Sequence, residues 1–379
     1  MRIALAHDAI FCRAGGERVL LNFHKAFPDA PIYTSIYDSQ NTYPEFSDCD
    51  IKTTWLQHIA PNEKWYKRTF FPLGLWAMQS HKLSEYDIIL ATTTHCAKYI
   101  QIKPSTLVIN YCFTPFRLAW NPTSYNLYDK SKGLKRLLLD YIIKNLRKID
   151  YHYSQRADKY IAMTNETAAR LKEAYKLKDK ITIFNPSIDT SKYYVSKKIE
   201  NYYLIVSRLE KYKKVDLVIL AFNQLGYRLK IIGRGIEKEN LKNIAKSNIE
   251  FFEGIDDKEL ADLYSKCKAF IFPQHEDYGL TPLEANASGR PVIAFGHGGV
   301  ETTMLPYNSI KPENPYTAIF FPEQTINSLI GAISTFENLN IDSSFIRGHA
   351  EKYDDINFIH EIKEFVSKQY NIHKQKNKT

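Results

Sequence analysis

No run of uncharged apolar residues in this sequence approaches the roughly 18 needed for a membrane-spanning helix, so the chain is expected to be soluble or peripheral. Cysteine is scarce and scattered. Cys12, Cys49, Cys96, Cys112 and Cys267 are odd in number and form no C-x-x-C pair, which argues against zinc or a redox dithiol and suits a reducing cytoplasm. There is no low-complexity tract and no repeat at a solenoid period. The opening residues, MRIALAHDAI, interrupt their apolar run at His7 and Asp8, too soon for a signal peptide, and read as a first β-strand. Interleaved aromatic RNA motifs, zinc-finger spacing and DNA-reading elements are also missing, so the net charge of +9 alone does not point to nucleic acid. An anionic bilayer or a phosphorylated substrate would satisfy that charge equally well.

What is present is an alternation. Short runs rich in Ile, Val and Tyr are separated by longer amphipathic stretches, the pattern of β-α-β units in a parallel sheet. Strands are predicted at Ile3–Ala6, Ile88–Thr92, Thr106–Asn110, Lys159–Met163, Ile181–Phe184, Tyr203–Val206, Arg228–Ile232, Ala269–Phe272 and Val292–Ala294. A chain of 379 residues suits two α/β domains, and the polar segment around Asp189–Asn201 divides them. The expectation is therefore two doubly wound, Rossmann-like domains facing each other across a cleft. They would span residues 1–190 and 191–365, followed by a helix end and lysine-rich tail at 366–379 with disorder from about Asn371. In such sheets ligands sit beyond the carboxyl ends of the strands, so the loops there are where chemistry should be sought.

Four loops after residue 200 carry it. In SRLEKYKK, Arg208 and Lys213 follow a strand, where a planar guanidinium and an ammonium would suit a diphosphate, although a solvated basic loop is the plain alternative. In IIGRG, Gly233 and Gly235 would let a ligand approach the backbone, or would simply make a tight turn. In HEDYGLTPLEA, a helix is predicted to begin near Thr281 and Pro282, with Gly279, Leu280 and Thr281 around its phosphate-attracting N-terminus. Glu276 then lies on the loop, able to accept from sugar hydroxyls. Glu284 falls in the first turn, able to bind a ribose or simply to complement the helix dipole. In GRPVIAFGHGGVET, a glycine loop leads to Glu301 and should close over the same strand ends.

These residues, with their seven-residue gap between Glu276 and Glu284, resemble family-4 glycosyltransferases of the two-domain GT-B fold. EDYG stands where EDFG is common in that family, and Arg208 and Lys213 match its diphosphate-binding pair. The segments YDIILATTTHCAKYI and VINYCFTPFRLAWN are similar to those of bacterial O-antigen (lipopolysaccharide) mannosyltransferases. Thr114, Pro115, Arg117 and Trp120 fit their pattern, and Phe113 departs from it where a histidine is expected. The resemblance makes His95 the nearest candidate replacement by sequence. It also makes Gly15 and Gly16, before a helix predicted near Glu17, a loop facing the donor phosphates or the acceptor.

The resemblance implies a retaining hexosyltransferase. Its donor would be a nucleotide sugar, GDP-mannose before UDP-glucose or UDP-galactose, and its acceptor a saccharide on a lipid diphosphate carrier. A nucleotide-sugar 2-epimerase on the same architecture would lack use for TPFRLAWN. Arg208, Lys213 and the helix start near Leu280 would meet the charge growing on the leaving phosphate, so no metal cofactor is expected. Asp48-Cys49-Asp50 has the spacing of a metal-binding motif of another fold but reads as a solvated loop. Two basic, apolar stretches, KWYKRTFFPLGLWAMQSHK and SKGLKRLLLDYIIKNLRKI, are either core helices with solvated basic faces or helices that lie on an anionic membrane at its cytoplasmic face.

Overall fold

The computed structural model describes residues 1–376, the side chains of residues 67–72, 124, 126 and 127 excepted. The chain forms two compact units. One is Met1–Pro186 joined by the chain from Phe358 onward, and the other is Ser187–Asn357.

The first unit is built on a seven-stranded parallel sheet: β1 Ile3–His7, β2 Ile32–Thr34, β3 Ile51–Thr53, β4 Ile88–Thr93, β5 Leu107–Cys112, β6 Lys159–Ala162 and β7 Ile181–Ile183. Their order is β3-β2-β1-β4-β5-β6-β7. The second has six: β8 Tyr203–Val206, β9 Leu229–Ile232, β10 Ile249–Phe252, β11 Phe270–Phe272, β12 Val292–Phe295 and β13 Ala318–Phe321, in the order β10-β9-β8-β11-β12-β13. All pairings between these strands are parallel. Parallel strands covered by helices on both faces must be apolar on both. Thus Ile205, Ile231, Ile271, Ile293 and Ile319 join one core of the second unit, while Leu204, Phe270, Val292 and Ala294 are buried on the same strands' other side.

Each predicted strand is present to within a residue or two. The short strand β2, the edge strands β3 and β10, and β13 with its Phe-Phe pair carry no strong signal in the sequence. Two boundaries differ from expectation. Residues Ser187 to Thr190 belong with the second unit, because Ile188 donates its N–H to Tyr353 and Thr190 its N–H to Asp354. The C-terminal segment belongs with the first. The helix Asp355–Lys376 buries Phe358, Ile362 and Val366, one per turn. Phe358 stacks 6.1 Å from Phe23, and Phe365 packs edge-on against Phe184. That apolar stripe, rather than a tail, is what residues 358–376 contribute. The disorder expected from Asn371 gives way to helix as far as Lys376, with His373 hydrogen-bonded to the Ser105 carbonyl. The remainder of the expected tail, 377–379, lies outside the described residues. No helix among the described residues is long and apolar enough to cross a membrane.

Candidate active site

In each sheet the strand order reverses once, between β1 and β4 in the first unit and between β8 and β11 in the second. At such a reversal the loops leaving two adjacent strands turn to opposite faces and open a crevice at their carboxyl ends. The residues singled out from the sequence gather at these two places. Gly15, Gly16 and His95 follow β1 and β4; Arg208, Lys213 and Glu276 follow β8 and β11.

In the second unit, Lys213 is nearly buried at 6% exposure and forms an ion pair with the Glu276 carboxylate. Burial, and secondly the neighbouring Arg208 guanidinium, push its ammonium down to about 8. Arg208 itself is exposed and donates to the Tyr212 hydroxyl at 2.7 Å. Its position is fixed by the IIGRG loop. A side chain at Gly235 would begin 2.2 Å from the Leu209 carbonyl oxygen, and one at Gly233 would begin 1.9 Å from that of Ser207. The two glycines therefore serve packing of the β9 loop onto Ser207–Leu209, sealed by Leu209 N–H to the Arg234 carbonyl, rather than the approach of a ligand. Glu276 is held from its other side, where its carbonyl accepts from Gly299 N–H and its backbone bridges Gly298. The loop after β12 thus packs on the Glu276 segment as expected, with Glu301 turned back to accept from Gly298 N–H.

The helix after Glu276 starts earlier than the Thr-Pro signal indicated. It runs Leu280–Ala287, entered through Gly279 at φ +95°, a value that favours glycine and makes the sharp turn there. Pro282 becomes the third helical residue, where its missing N–H has no helical partner to lose. Leu280 and Thr281 remain at the N-terminus, half-buried. Glu284 moves into the second turn, so the dipole is no longer a sufficient reason for it. Its carboxylate instead accepts from the buried Tyr264 hydroxyl at 3.0 Å.

In the first unit, Gly15 and Gly16 are themselves the first residues of the helix Gly15–Ala26, two positions earlier than predicted. The Asp8 carboxylate, a group not singled out from the sequence, organises the opposite side. It accepts from the backbone N–H groups of Thr94, His95, Cys96 and Ala97 and from the hydroxyls of Thr93 and Thr94. Burial opposes its charge, but His95, His7 and these donors outweigh it and hold the carboxyl well below its usual range. His95 is engaged at both ring nitrogens. Nδ1 lies 2.8 Å from Asp8 Oδ2 and 2.8 Å from Thr94 Oγ1, and Nε2 lies 3.3 Å from the Tyr66 hydroxyl. Asp8, His95 and Cys96 bring three potential metal donors within 4.8 Å of one another, yet the Asp8 oxygens are already filled by that turn and burial pushes the Cys96 thiol up. Asp48-Cys49-Asp50 ends a 3-10 turn and enters β3, with Asp50 paired to Lys52 at 2.7 Å, at the amino end of its strand and away from the crevice.

A second imidazole lies beside Phe113. A methyl group on Gly16 would sit 3.4 Å from the Phe113 ring and 3.6 Å from His7 Cε1. His7 Nδ1 is 2.6 Å from Thr92 Oγ1, whose hydroxyl lies 3.4 Å from the Ala6 carbonyl; in the neutral tautomer with the proton on Nδ1, Nε2 would be an acceptor. His7 is the last residue of β1, and its signal in the sequence is only that it ends an apolar run.

Comparison with known proteins locates this arrangement. The sequence model of the glycosyl transferases group 1 family matches residues 187–352, essentially the second unit. An uncharacterized glycosyltransferase of Haemophilus influenzae is 30% identical over 149 residues, 36% of this chain and 42% of the relative. A second from Methanocaldococcus jannaschii is 30% identical over 119 residues, 30% of this chain and 34% of the relative, so the matched part of the chain spans less than half the length of each. The O-antigen chain mannosyltransferase RfbU of Salmonella typhimurium is 29% identical over 173 residues, 42% of this chain and 48% of that protein. Among solved structures, sucrose-phosphate synthase from Thermosynechococcus elongatus superposes with a TM-score of 0.71 at 16% identity, covering 98% of this chain and all (100%) of that one. Anabaena HepE in complex with UDP-glucose does so at 0.68 and 15%, covering 97% and 100%. The chain thus folds as two parallel-sheet, Rossmann-like units of the GT-B type, and its residues 187–352 match the glycosyl transferases group 1 family.

Proposed function

We propose that this protein is a retaining glycosyltransferase that moves a hexose, mannose from GDP-mannose, onto a growing lipid-linked surface glycan of O-antigen or capsule type at the inner face of the cytoplasmic membrane. The observation that carries this reading is the ion pair of buried Lys213 with half-buried Glu276, beside Arg208 at the β8/β11 reversal. It joins the cations a leaving diphosphate needs to the carboxylate a donor sugar needs. The mannosyl donor is favoured by the likeness to RfbU and by the TPFRLAWN segment.

In this mechanism the bond from the anomeric carbon to the phosphate oxygen breaks while the acceptor oxygen bonds that carbon from the same face, and its proton passes to the departing phosphate. Arg208 and Lys213 neutralise the charge that grows on the diphosphate, with the N–H groups at Leu280 and Thr281 as further donors. Glu276 holds the sugar hydroxyls and Glu284 the ribose. In the first unit, Gly15 and Gly16 let a ligand approach the backbone, and the role left vacant by Phe113 falls better to His7, whose Nε2 can accept, than to His95. The cations do the work a metal would, so turnover should survive chelation.

Thermal stabilisation and slow donor hydrolysis across a panel of nucleotide sugars test the reading. Selective stabilisation by GDP-mannose supports it; a response only to UDP-sugars replaces the donor; no response to any nucleotide sugar overturns it.

A further inference from the structure

The helix Gly133–Ser154 has two unlike sides. Ile143, Leu146 and Asp150 point inward and are buried. Trp120 Nε1 and the Tyr99 hydroxyl both donate to the Asp150 carboxylate, so that side of the helix is locked to its own unit. The apolar residues of its first two turns point the other way. Leu134 is 85% exposed, Leu137 66%, Leu138 60% and Tyr141 68%. At positions i, i+3, i+4 and i+7 they make one continuous stripe. Four large apolar side chains in a row facing water are not the scattered exposure ordinary for a soluble surface.

The charges around the stripe are of one kind. Lys132, Lys135, Lys144 and Lys148 flank it, all exposed. The acid on this stretch, Asp140, is already bonded to Arg136 and the Tyr128 hydroxyl, while Arg136 stacks 3.8 Å from the Tyr128 ring centre. Near the helix's other end, the helix Glu63–Gln79 joins it through Gln79 to the Tyr153 hydroxyl at 2.7 Å, and there Trp76 is 60% exposed. Tryptophan is a side chain favoured at the water–lipid boundary.

We infer that Leu134, Leu137, Leu138 and Tyr141 form a face that enters an anionic bilayer, with the lysines beside it on the lipid phosphates. This names the surface behind the membrane location proposed above, but it rests on the exposed stripe and not on the transfer reaction. A second copy of the chain would present the same positive charge to itself, whereas an anionic lipid surface complements it.

The test needs no sugar substrate. The full-length protein is sedimented with phosphatidylcholine vesicles with and without phosphatidylglycerol. Binding is expected to the anionic vesicles at low salt and to weaken as salt rises. The variant Leu134→Ser/Leu137→Ser/Leu138→Ser/Tyr141→Ser should lose at least about tenfold in partitioning while its melting temperature stays that of the parent, since every altered side chain is exposed. Lys132→Glu/Lys135→Glu/Lys144→Glu/Lys148→Glu should abolish the preference for phosphatidylglycerol. The inference falls if the parent ignores anionic vesicles at low salt, or if the serine variant binds them as well as the parent. It falls also if gel filtration shows a dimer that the serine variant dissociates while vesicle binding is unchanged. Because nucleotide-sugar binding is not read out, failure here leaves the transferase reading to its own test.

Discussion

The two sheets reverse their strand order in the same way, but what stands at the reversal differs. In the second unit, Arg208 is exposed and Lys213 answers to a single carboxylate, so a diphosphate that displaced Glu276 would find two cations waiting. In the first unit, Asp8 gathers four consecutive N–H groups and two hydroxyls, and His95 is held between Asp8 and Tyr66. One reversal is poised to exchange partners; the other has its polar groups bound to each other. A shared topology thus fixes where a crevice opens, while the local inventory of donors and acceptors decides whether it binds charge or merely shapes a loop. Changes in the second unit should therefore show in turnover and changes around Asp8 in stability.

The sharpest way to break this contrast is Glu276→Ala. If Glu276 holds the donor sugar in the transition state, turnover falls by about a thousandfold, the upper end for losing one preorganised polar contact. The melting temperature should fall as well, because the variant leaves the buried Lys213 ammonium beside Arg208 without its carboxylate, so turnover is compared at temperatures where both proteins stay folded. Turnover equal to the parent, measured with the nucleotide sugar that stabilises the protein, would remove Glu276 from the site.

Asp8→Ala is the matching change in the first unit, read as unfolding. Removing one partner of a buried, hydrogen-bonded ion pair costs about 3–5 kcal/mol. The pH dependence has a definite sign. The folded carboxyl is held well below its unfolded value, so its stabilisation is present above that unfolded value, about pH 4, and is lost as pH falls through the depressed folded one. Urea melts of the parent should lose stability on acidification below about pH 4, and Asp8→Asn should lack that component of the decline. An Asp8→Asn protein with the parent's acid profile would show that the carboxylate is not ionised in the fold.

Lys213→Arg gives a smaller effect on donor binding. Lys213, at about 8, keeps its charge below that pH and loses it above. The dissociation constant for a nucleoside diphosphate should therefore be flat up to pH 8 and rise toward about tenfold per pH unit beyond it if only the ammonium binds. Arginine stays charged throughout, so the alkaline limb should vanish in the variant. Titration calorimetry from pH 6 to 9.5 decides it, and an alkaline limb that persists in Lys213→Arg assigns the titration to another group.

How much of this was legible in the sequence follows from what each signal depends on. The parallel-sheet class and most strands were readable, because strands buried on both faces are continuous runs such as YLIV and FIF. The placement of Arg208, Lys213 and Glu276 in the loops after β8 and β11 was readable, because charge just beyond a continuous apolar run marks the end of a buried strand. The strands Ile32–Thr34 and Ile51–Thr53 were hard to see at three residues each. The helix at Leu280 was misplaced by the Thr-Pro pair, because Gly279 adopts φ +95° and turns the chain earlier. Asp8 was missed for a different reason: its partners lie 85 to 89 residues away, and such a bond leaves no local pattern. The return of the last helix to the first unit is also a long-range fact, visible in the contacts of Phe358 with Phe23 and Phe365 with Phe184.

The smallest effect separates the two histidines. His95 lies where the sequence led, yet both its nitrogens are engaged, whereas His7 sits beside Phe113 and Gly16 with Nε2 unpartnered among the described residues. If His7 takes the place of the histidine missing at 113, His7→Gln should lower turnover by up to about tenfold, the worth of one hydrogen bond in the transition state. His95→Gln should lower the melting temperature by loosening the Asp8 turn and leave turnover within about twofold at temperatures where the protein stays folded. Measuring kcat and melting for both variants side by side gives the comparison its finest edge. A larger loss of kcat in His95→Gln than in His7→Gln would mean that Tyr66 releases the ring when substrate binds, and that the first unit's reversal is also a place where partners exchange.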